Sequence, residues 1–144
     1  MSDRLVGAFA RFVGRRSDAQ LAQLMDGWLR GPLLWSIFRF APRRFDREQA
    51  AGERALIEIR VRHRRRDRPD RRQLIVGRGR CTVSRHDLGE PDSMVSFEPV
   101  AFLRFVAGQR AAPELFLGRR ISVDGSLLLA AELPSLFRIP GRAG

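Results

Sequence analysis

Between Pro91 and Phe137 almost every change of chain direction is marked by a residue suited to it, and this fixes an order of elements: strand, helix, short helix, strand, helix. The segment 92–97 alternates apolar residues through Met94 or Val95 to Phe97 and runs into Pro99. A proline belongs in a first helical turn, where its missing amide hydrogen costs nothing. The spacing of Phe102, Leu103, Phe105 and Val106 then predicts a helix over 100–107, ended by a left-handed Gly108. Pro113 opens a short helix over 114–117 that stops at Gly118. Residues 119–123 read as a strand, turned by Asp124-Gly125 into a last helix capped by Ser126. Pro134 removes a helical hydrogen bond, so that helix is expected to kink or restart near Leu133.

Further upstream the period changes. Ala55, Ile57, Ile59 and Val61 fall on one side of an alternating segment and Arg54, Glu58, Arg60 and Arg62 on the other, the pattern of a half-buried antiparallel strand. Residues 64–72 are too polar to bury and read as a solvated hairpin loop; the chain returns over 73–76, and a third strand follows over 80–84. Gly77 and Gly79 mark a tight turn between the last two. Before these strands, Asp18 starts a helix over 19–30 with Leu21, Leu24, Met25 and Trp28 on one face. Gly31-Pro32 is expected to break it, and a further helix over 33–40 carries Trp35, Ile37 and Phe38 until Ala41-Pro42 closes it. Residues 46–52 read as a polar linker.

The run Phe102-Leu103, Val106-Ala107-Gly108, then Pro113 through Gly125, then Leu129-Ala130 and Leu136-Phe137, resembles the sterol carrier protein type two family. The resemblance is strongest over 91–137 and extends from about residue 20; the departures are Ser126 after Gly125, where members often carry an acidic residue, and Pro134 in the last helix. It implies an α+β fold in which a mixed, mainly antiparallel sheet of about five strands is covered on one face by helices, with a hydrophobic tunnel between the layers for a lipid or acyl chain. The segment 113–125 is also similar to the accessory factor of ubiquinone biosynthesis, which would make quinone handling, with lipid-modifying enzymes as partners, a variant of the same reading.

A chain of 144 residues with 44% hydrophobic content supports one domain with a real core and is too short for two. We divide it into a basic amphipathic segment 1–17, a lipid-binding domain 18–140 and a tail 141–144. A lone cysteine, Cys81, excludes an intrachain disulfide, and one cysteine with two histidines offers no metal site; no cofactor is implied. The net charge of +11 comes from 27 basic residues, all of them arginine, a preference that reads as a GC-rich genome more than as chemistry. It is one-sided: residues 1–91 hold 21 arginines against 11 acids, residues 92–137 four against five. Such a face attracts anionic head groups, nucleic acid or acidic proteins without choosing among them.

At the amino terminus Leu5, Val6, Phe9, Phe12 and Val13 make one apolar helical face, with Arg4, Arg11, Arg15 and Arg16 around the rest. This helix either lies in a membrane interface or docks on its own domain. No secretory cleavage site follows it, and the longest apolar stretch, 31–38, is far below the roughly 20 residues of a spanning helix, so a cytoplasmic protein, at most peripheral to the membrane, is expected.

Nothing here builds a catalytic constellation. Ser84, His86 and Asp87 are too close in an extended segment to relay a proton, His63 reads as a hydrogen-bonded structural residue, Cys81 as an inert thiol, and Gly77-Arg78-Gly79 is no phosphate loop. The expected function is therefore noncatalytic binding and transfer of a sterol, fatty acyl or isoprenoid lipid. Trp28, Trp35, Phe38, Ile57, Ile59, Phe97, Phe102, Phe105, Val106, Phe116 and Leu128 are the expected cavity residues, the same side chains being equally a packed core; the two tryptophans in particular fit a core role. Arg4, Arg11, Arg15, Arg64, Arg65 and Arg66 are the expected contacts to an anionic membrane. In that mechanism the basic face docks, the amino-terminal or last helix moves aside, and lipid exchanges. The rival is an arginine-rich module binding nucleic acid or acidic proteins through 60–72, which holds eight arginines and two aspartates but no interleaved aromatic for base stacking.

Overall fold

The computed structural model describes residues 3–50 and 52–139, which leaves the expected 141–144 tail outside the described residues. Three helices come first: α1 (Asp3–Gly14), α2 (Asp18–Asp26) and α3 (Arg30–Arg44). Strands β1 (Ala55–Val61), β2 (Asp70–Gly77), β3 (Arg80–Ser84) and β4 (Ser93–Phe97) follow. Helices α4 (Pro99–Val106) and α5 (Ala112–Leu117), strand β5 (Ile121–Gly125) and helix α6 (Leu127–Leu136) complete the chain. The five strands form one sheet in the order β3-β2-β1-β4-β5, with β1 and β4 parallel and every other pair antiparallel. This is the mixed, mainly antiparallel α+β sheet expected from the sequence.

The register follows from burial. Ile57 faces Leu74 on β2 and Ser93 on β4, so the side of β1 that carries Ile57, Ile59 and Val61 meets the helices, together with Val95 and Phe97. On the opposite side the sheet is polar. There Glu58 and Gln73 are nevertheless buried: Gln73 Nε2 donates to Glu58 Oε1 (2.9 Å) and to Gly89 O (3.1 Å), while Leu88 N donates to Gln73 Oε1 (2.8 Å). The 85–92 loop thus folds over the sheet's outer face through hydrogen bonds, which is how a buried carboxylate and carboxamide avoid a desolvation penalty.

Most boundary signals of the last third are present as read, but the strand read at 119–123 is β5 at 121–125, so Asp124 and Gly125 end the strand itself. Pro99 sits in the first turn of α4, and Gly108 (φ 77°) follows its end. Gly125 (φ 88°) admits no side chain, because a Cβ there would stand 2.4 Å from Asp92 O. The Ser126 hydroxyl accepts from Leu129 N (3.1 Å), and Ser93 Oγ donates to Ser126 O (2.9 Å), tying the start of α6 to the sheet. At the other hairpin, Arg78 (φ 54°) and Gly79 (φ 69°) form the two-residue turn between β2 and β3.

Four further readings are corrected. Helix α2 ends at Asp26, with Gly27 N bonded to Leu24 O, instead of running to residue 30. Gly31-Pro32 breaks nothing, because it lies in the first turn of α3, where proline gives up no hydrogen bond; α3 then passes through Pro42 to Arg44. Helix α6 likewise runs from Leu127 to Leu136 with Pro134 inside it and no restart. Strand β2 starts at Asp70, so Arg71 and Arg72 belong to the sheet and the loop is only 62–69. The 46–52 segment, whose Ala51 lies outside the described residues, is anchored as well as polar: Asp46 N donates to Leu136 O (2.7 Å) and Ala50 is fully buried.

Candidate ligand-binding cavity

The helix α4 is the spine of the site, because six of its eight residues are buried and their side chains diverge to both sides. Phe102 stacks on Phe38 of α3 (centroids 5.7 Å apart) and meets Phe97 of β4 edge-on (5.3 Å), while Phe105 leans on Phe97 from the other flank (5.2 Å). This aromatic chain is walled on either side by an empty space. One cavity, of about 300 Å³, has a floor of Ile59 and Leu74, a wall of Phe38, Phe102, Phe105 and Val106, and a further wall from α1 (Leu5, Val6, Phe9) and the end of the chain (Leu133, Phe137, Ile139). Its size is at the lower end for small-molecule pockets. The other, of about 210 Å³, lies among β4, β5, α5 and α6 and is lined by Phe97, Phe116, Ile121 and Leu127. Phe105 and Leu133 line both and so form the partition between them.

The first cavity is nearly without polar groups. Ser36 is in its lining, but its hydroxyl donates back to Pro32 O (2.9 Å). Among the described residues Arg44 and Arg138 are the only ionisable side chains along it, and Arg138 donates from Nε to Arg44 O and from Nη2 to Arg43 O (both 3.0 Å), fastening the segment after α6 to α3. Beside it, the guanidinium of Arg72 lies 5.5 Å from the centre of the Phe38 ring.

Of the expected cavity residues, Phe38, Ile59, Phe102, Phe105 and Val106 line the first space, and Phe97, Phe105 and Phe116 the second. Ile57 is core and lines neither. Leu128 is 71% exposed and lines neither, while its neighbour Leu127, itself 60% exposed, reaches only the edge of the second space. Trp28, 82% exposed, and Trp35, 49% exposed, are neither cavity nor core. Trp28 would share the face of Leu21 and Met25 had α2 continued, but the helix stops before it. Trp35 is displaced because the buried stripe of α3 is Arg30, Leu34 and Phe38, and Trp35 falls outside it with Arg39 against its ring. Leu5, Val6, Phe9, Leu33, Leu74 and Leu133 were missed as cavity residues; the apolar face of α1 was the signal for three of them.

Helix α1 docks on the domain. Val13 is fully buried, Gln109 Nε2 donates to Ala10 O (2.9 Å), and Arg104 donates to Val13 O (2.9 Å) and Arg16 O (2.8 Å). Arg4 and Arg11 face solvent from it and Arg15 from the turn that follows, and Arg64, Arg65 and Arg66 are exposed in the 62–69 loop, where Arg64 reaches Asp26 (3.4 Å). No helix among the described residues is long and apolar enough to cross a membrane.

The residues considered for chemistry are accounted for otherwise. Burial pushes the Cys81 thiol up to about 12, so it stays protonated. His63 Nε2 lies 3.3 Å from Asp70 Oδ2, and burial first, then the Arg30 charge, lowers its pKa. Ser84 Oγ accepts from His86 N (3.0 Å) instead of from the imidazole, and Asp87 accepts from Gly89 N (3.0 Å).

Residues 47–138, which run from the linker before β1 to the end of α6, match the SCP-2 sterol transfer family. The chain belongs to that family. Its fold is therefore one of lipid binding and transfer. The solved structures it resembles include the sterol carrier protein domain 2 of Helicoverpa armigera (TM-score 0.60, 18% identity, 78% of this chain and 89% of that one). Palmitated SCP2L2 from Aedes aegypti is another (TM-score 0.54, 16% identity, 76% and 96%). A third is the inverting sec-alkylsulfatase Pisa1 from Pseudomonas sp. (TM-score 0.60, 16% identity), of which 69% of this chain covers only 15%. The SCP-2 fold thus also occurs as a small part of a large enzyme. No curated protein matches the sequence.

Proposed function

We propose that the protein is a noncatalytic carrier that holds the apolar chain of a fatty acyl or isoprenoid lipid in the cavity between α1, α3, α4 and the sheet. The observation that carries this reading is the lining itself: about 300 Å³ bounded almost entirely by hydrocarbon and aromatic side chains, within a member of a lipid-transfer family. Burying apolar surface there stabilises a ligand by roughly 25 cal/mol per Å² and needs no placed polar partner. Arg44 and Arg138 supply positive charge along the wall, which suits an acidic end group. Exchange requires one wall to move. The amino-terminal half of α1 covers the cavity through Leu5, Val6 and Phe9 by apolar contact, whereas its other end is held by Gln109 and Arg104, so lifting that half costs the least hydrogen bonding.

The test is native mass spectrometry of the purified protein with organic extraction and analysis of what is released. Stoichiometric lipid, or saturable uptake of a fluorescent fatty acid that Phe102→Asp abolishes in a folded variant, supports the carrier. A clean apo mass with no uptake of fatty acid or sterol analogues overturns it.

A further inference from the structure

Both tryptophans of the chain stand on its surface beside the densest group of arginines, and the cavity explains neither. Gly27 ends α2, and the chain turns through Trp28 (82% exposed) and Leu29 (41%) into α3, whose outward side continues with Pro32, Trp35 (49%) and Arg39. This corner is fastened to the 62–69 loop at three points. Arg30 Nη2 donates to Val61 O (2.7 Å) just before the loop, Arg30 Nε to Asp70 Oδ2 (2.8 Å) just after it, and Arg64 pairs with Asp26 at the end of α2. Arg30 is only 4% exposed, and its Nε and Nη2 clamp the loop's two stems beneath the tryptophan corner while its Nη1 is buried without a hydrogen-bond partner among the described residues. Within the loop Arg65, Arg66 and Arg68 are exposed and make no ion pair among the described residues; Asp67 is the single exposed acid there.

We infer that this corner is the face with which the protein rests on an anionic lipid bilayer, Trp28, Leu29 and Trp35 entering the interfacial layer while Arg39, Arg65, Arg66 and Arg68 contact lipid phosphates. Indole rings partition to the boundary between head group and acyl chain, and guanidinium groups hold phosphates through paired hydrogen bonds. Charge selects this occupant over a second copy, since a self-complementary contact would press two arginine loops together. Leu29 and Pro32 select it over single-stranded nucleic acid, because aliphatic bulk suits acyl chains and stacks no base. The docking is read from the surface alone. Its use rests on the carrier reading: the other side of α3 supplies Leu33, Ile37 and Phe38 to the cavity, so the helix that meets the bilayer is also a wall of the cavity.

Since both tryptophans lie in this patch, intrinsic emission of the wild-type protein reports the contact. Vesicles mixing phosphatidylglycerol with phosphatidylcholine should shift the emission to the blue, and brominated acyl chains should quench it; pure phosphatidylcholine should do much less. In vesicle co-sedimentation, Arg65→Gln, Arg66→Gln and Arg68→Gln should each weaken partitioning about fivefold. Trp28→Ala with Trp35→Ala should weaken it further, and as these side chains are exposed the variants should unfold at the wild-type urea concentration. Four results overturn the inference: no emission change with anionic vesicles; vesicle binding kept by these variants but lost in Arg4→Gln/Arg11→Gln/Arg15→Gln; a concentration-dependent blue shift without lipid; or a shift with a single-stranded oligonucleotide and none with vesicles. A protein that docks through the tryptophans yet carries no lipid by mass spectrometry keeps this inference and loses the carrier reading.

Discussion

Replacing Phe105 with leucine should lengthen the chain that the protein accepts. Phe105 is 5% exposed, packs on Phe97 at 5.2 Å, and with Leu133 separates a cavity of about 300 Å³ from one of about 210 Å³. Leucine is shorter than the ring, so the partition opens and the two spaces join into about 510 Å³ plus the volume the ring gave up. The stability cost should be about 1–2 kcal/mol, within the roughly 5–15 kcal/mol of an ordinary domain, so the variant folds. Each further CH₂ buried contributes about 0.8 kcal/mol, or about fourfold in affinity. For the wild type, affinity across a homologous series of saturated fatty acids should rise about fourfold per carbon and then level off when the first cavity is full. For Phe105→Leu the rise should continue to longer chains, and the plateau should move by several carbons. Competition against a fluorescent fatty acid measures both curves, with urea unfolding as the control on stability. An unchanged plateau in a variant that unfolds at the expected urea concentration would refute the idea that Phe105 is the partition.

Other consequences follow from single contacts. Gly125→Ala forces a Cβ to within 2.4 Å of Asp92 O at φ 88° and should cost about 2–4 kcal/mol, read as a large fall in melting temperature; a wild-type melt would show that the β4–β5 edge relaxes freely. A hydrogen bond from Arg104 holds the Asp18 carboxyl below its ordinary value of 3.8, so its contribution is present above that pH and is lost as pH falls through the lower folded value. Asp18→Asn should therefore flatten the acid limb of the stability curve, and identical limbs would count against the Arg104 contact. Cys81, raised to about 12 by burial, should resist thiol reagents at neutral pH until denaturant is added; prompt labelling of the folded protein would show that β3 opens locally.

The legible parts of this chain are those where a residue type answers a local backbone demand. Pro99, Gly108, Gly125 and Ser126 each satisfy a turn or cap whose geometry depends on a few neighbours, and the strand from Ala55 to Val61 declares its buried side by alternation. Trp28 was misplaced because periodicity extrapolates: residues 21, 25 and 28 share a helical face only while the helix lasts, and Gly27 ends it. Pro32 looked like a breaker because its position relative to a helix start was unknown, although the same residue type is at home one turn into α3. Arg30 carried no local signal at all. Its role as a buried clamp depends on Val61 and Asp70, 31 and 40 residues away, and no periodicity contains that information. Phe38, Phe102 and Phe105 line one space together, but whether facing aromatics touch or enclose a space is decided by distances of an ångström or two, which no sequence pattern carries.

The family match begins at residue 47, after α1, α2 and α3, so in the carrier we propose two of the helices that wall the cavity, α1 and α3, lie outside the match. The sheet, α4 and α6 provide a floor and a spine: a hydrogen-bonded ladder, a helix with six buried residues, and a Gly125–Ser126 tie to β4, none of which opens without breaking several bonds. Helix α1, by contrast, lies across the first cavity with bonds to α4 and the 107–111 turn only near its carboxyl end, and α3 divides its surface between the cavity and an exposed tryptophan corner. Movement is thus cheapest in the part of the chain outside the family match. Bilayer contact at Trp28 and Trp35 would act on α3 directly, since Trp35 lies one residue from Leu34 in the core and two from Leu33 in the cavity wall. A carrier built this way couples docking to exchange through one helix, and the shared domain behind it need not change shape.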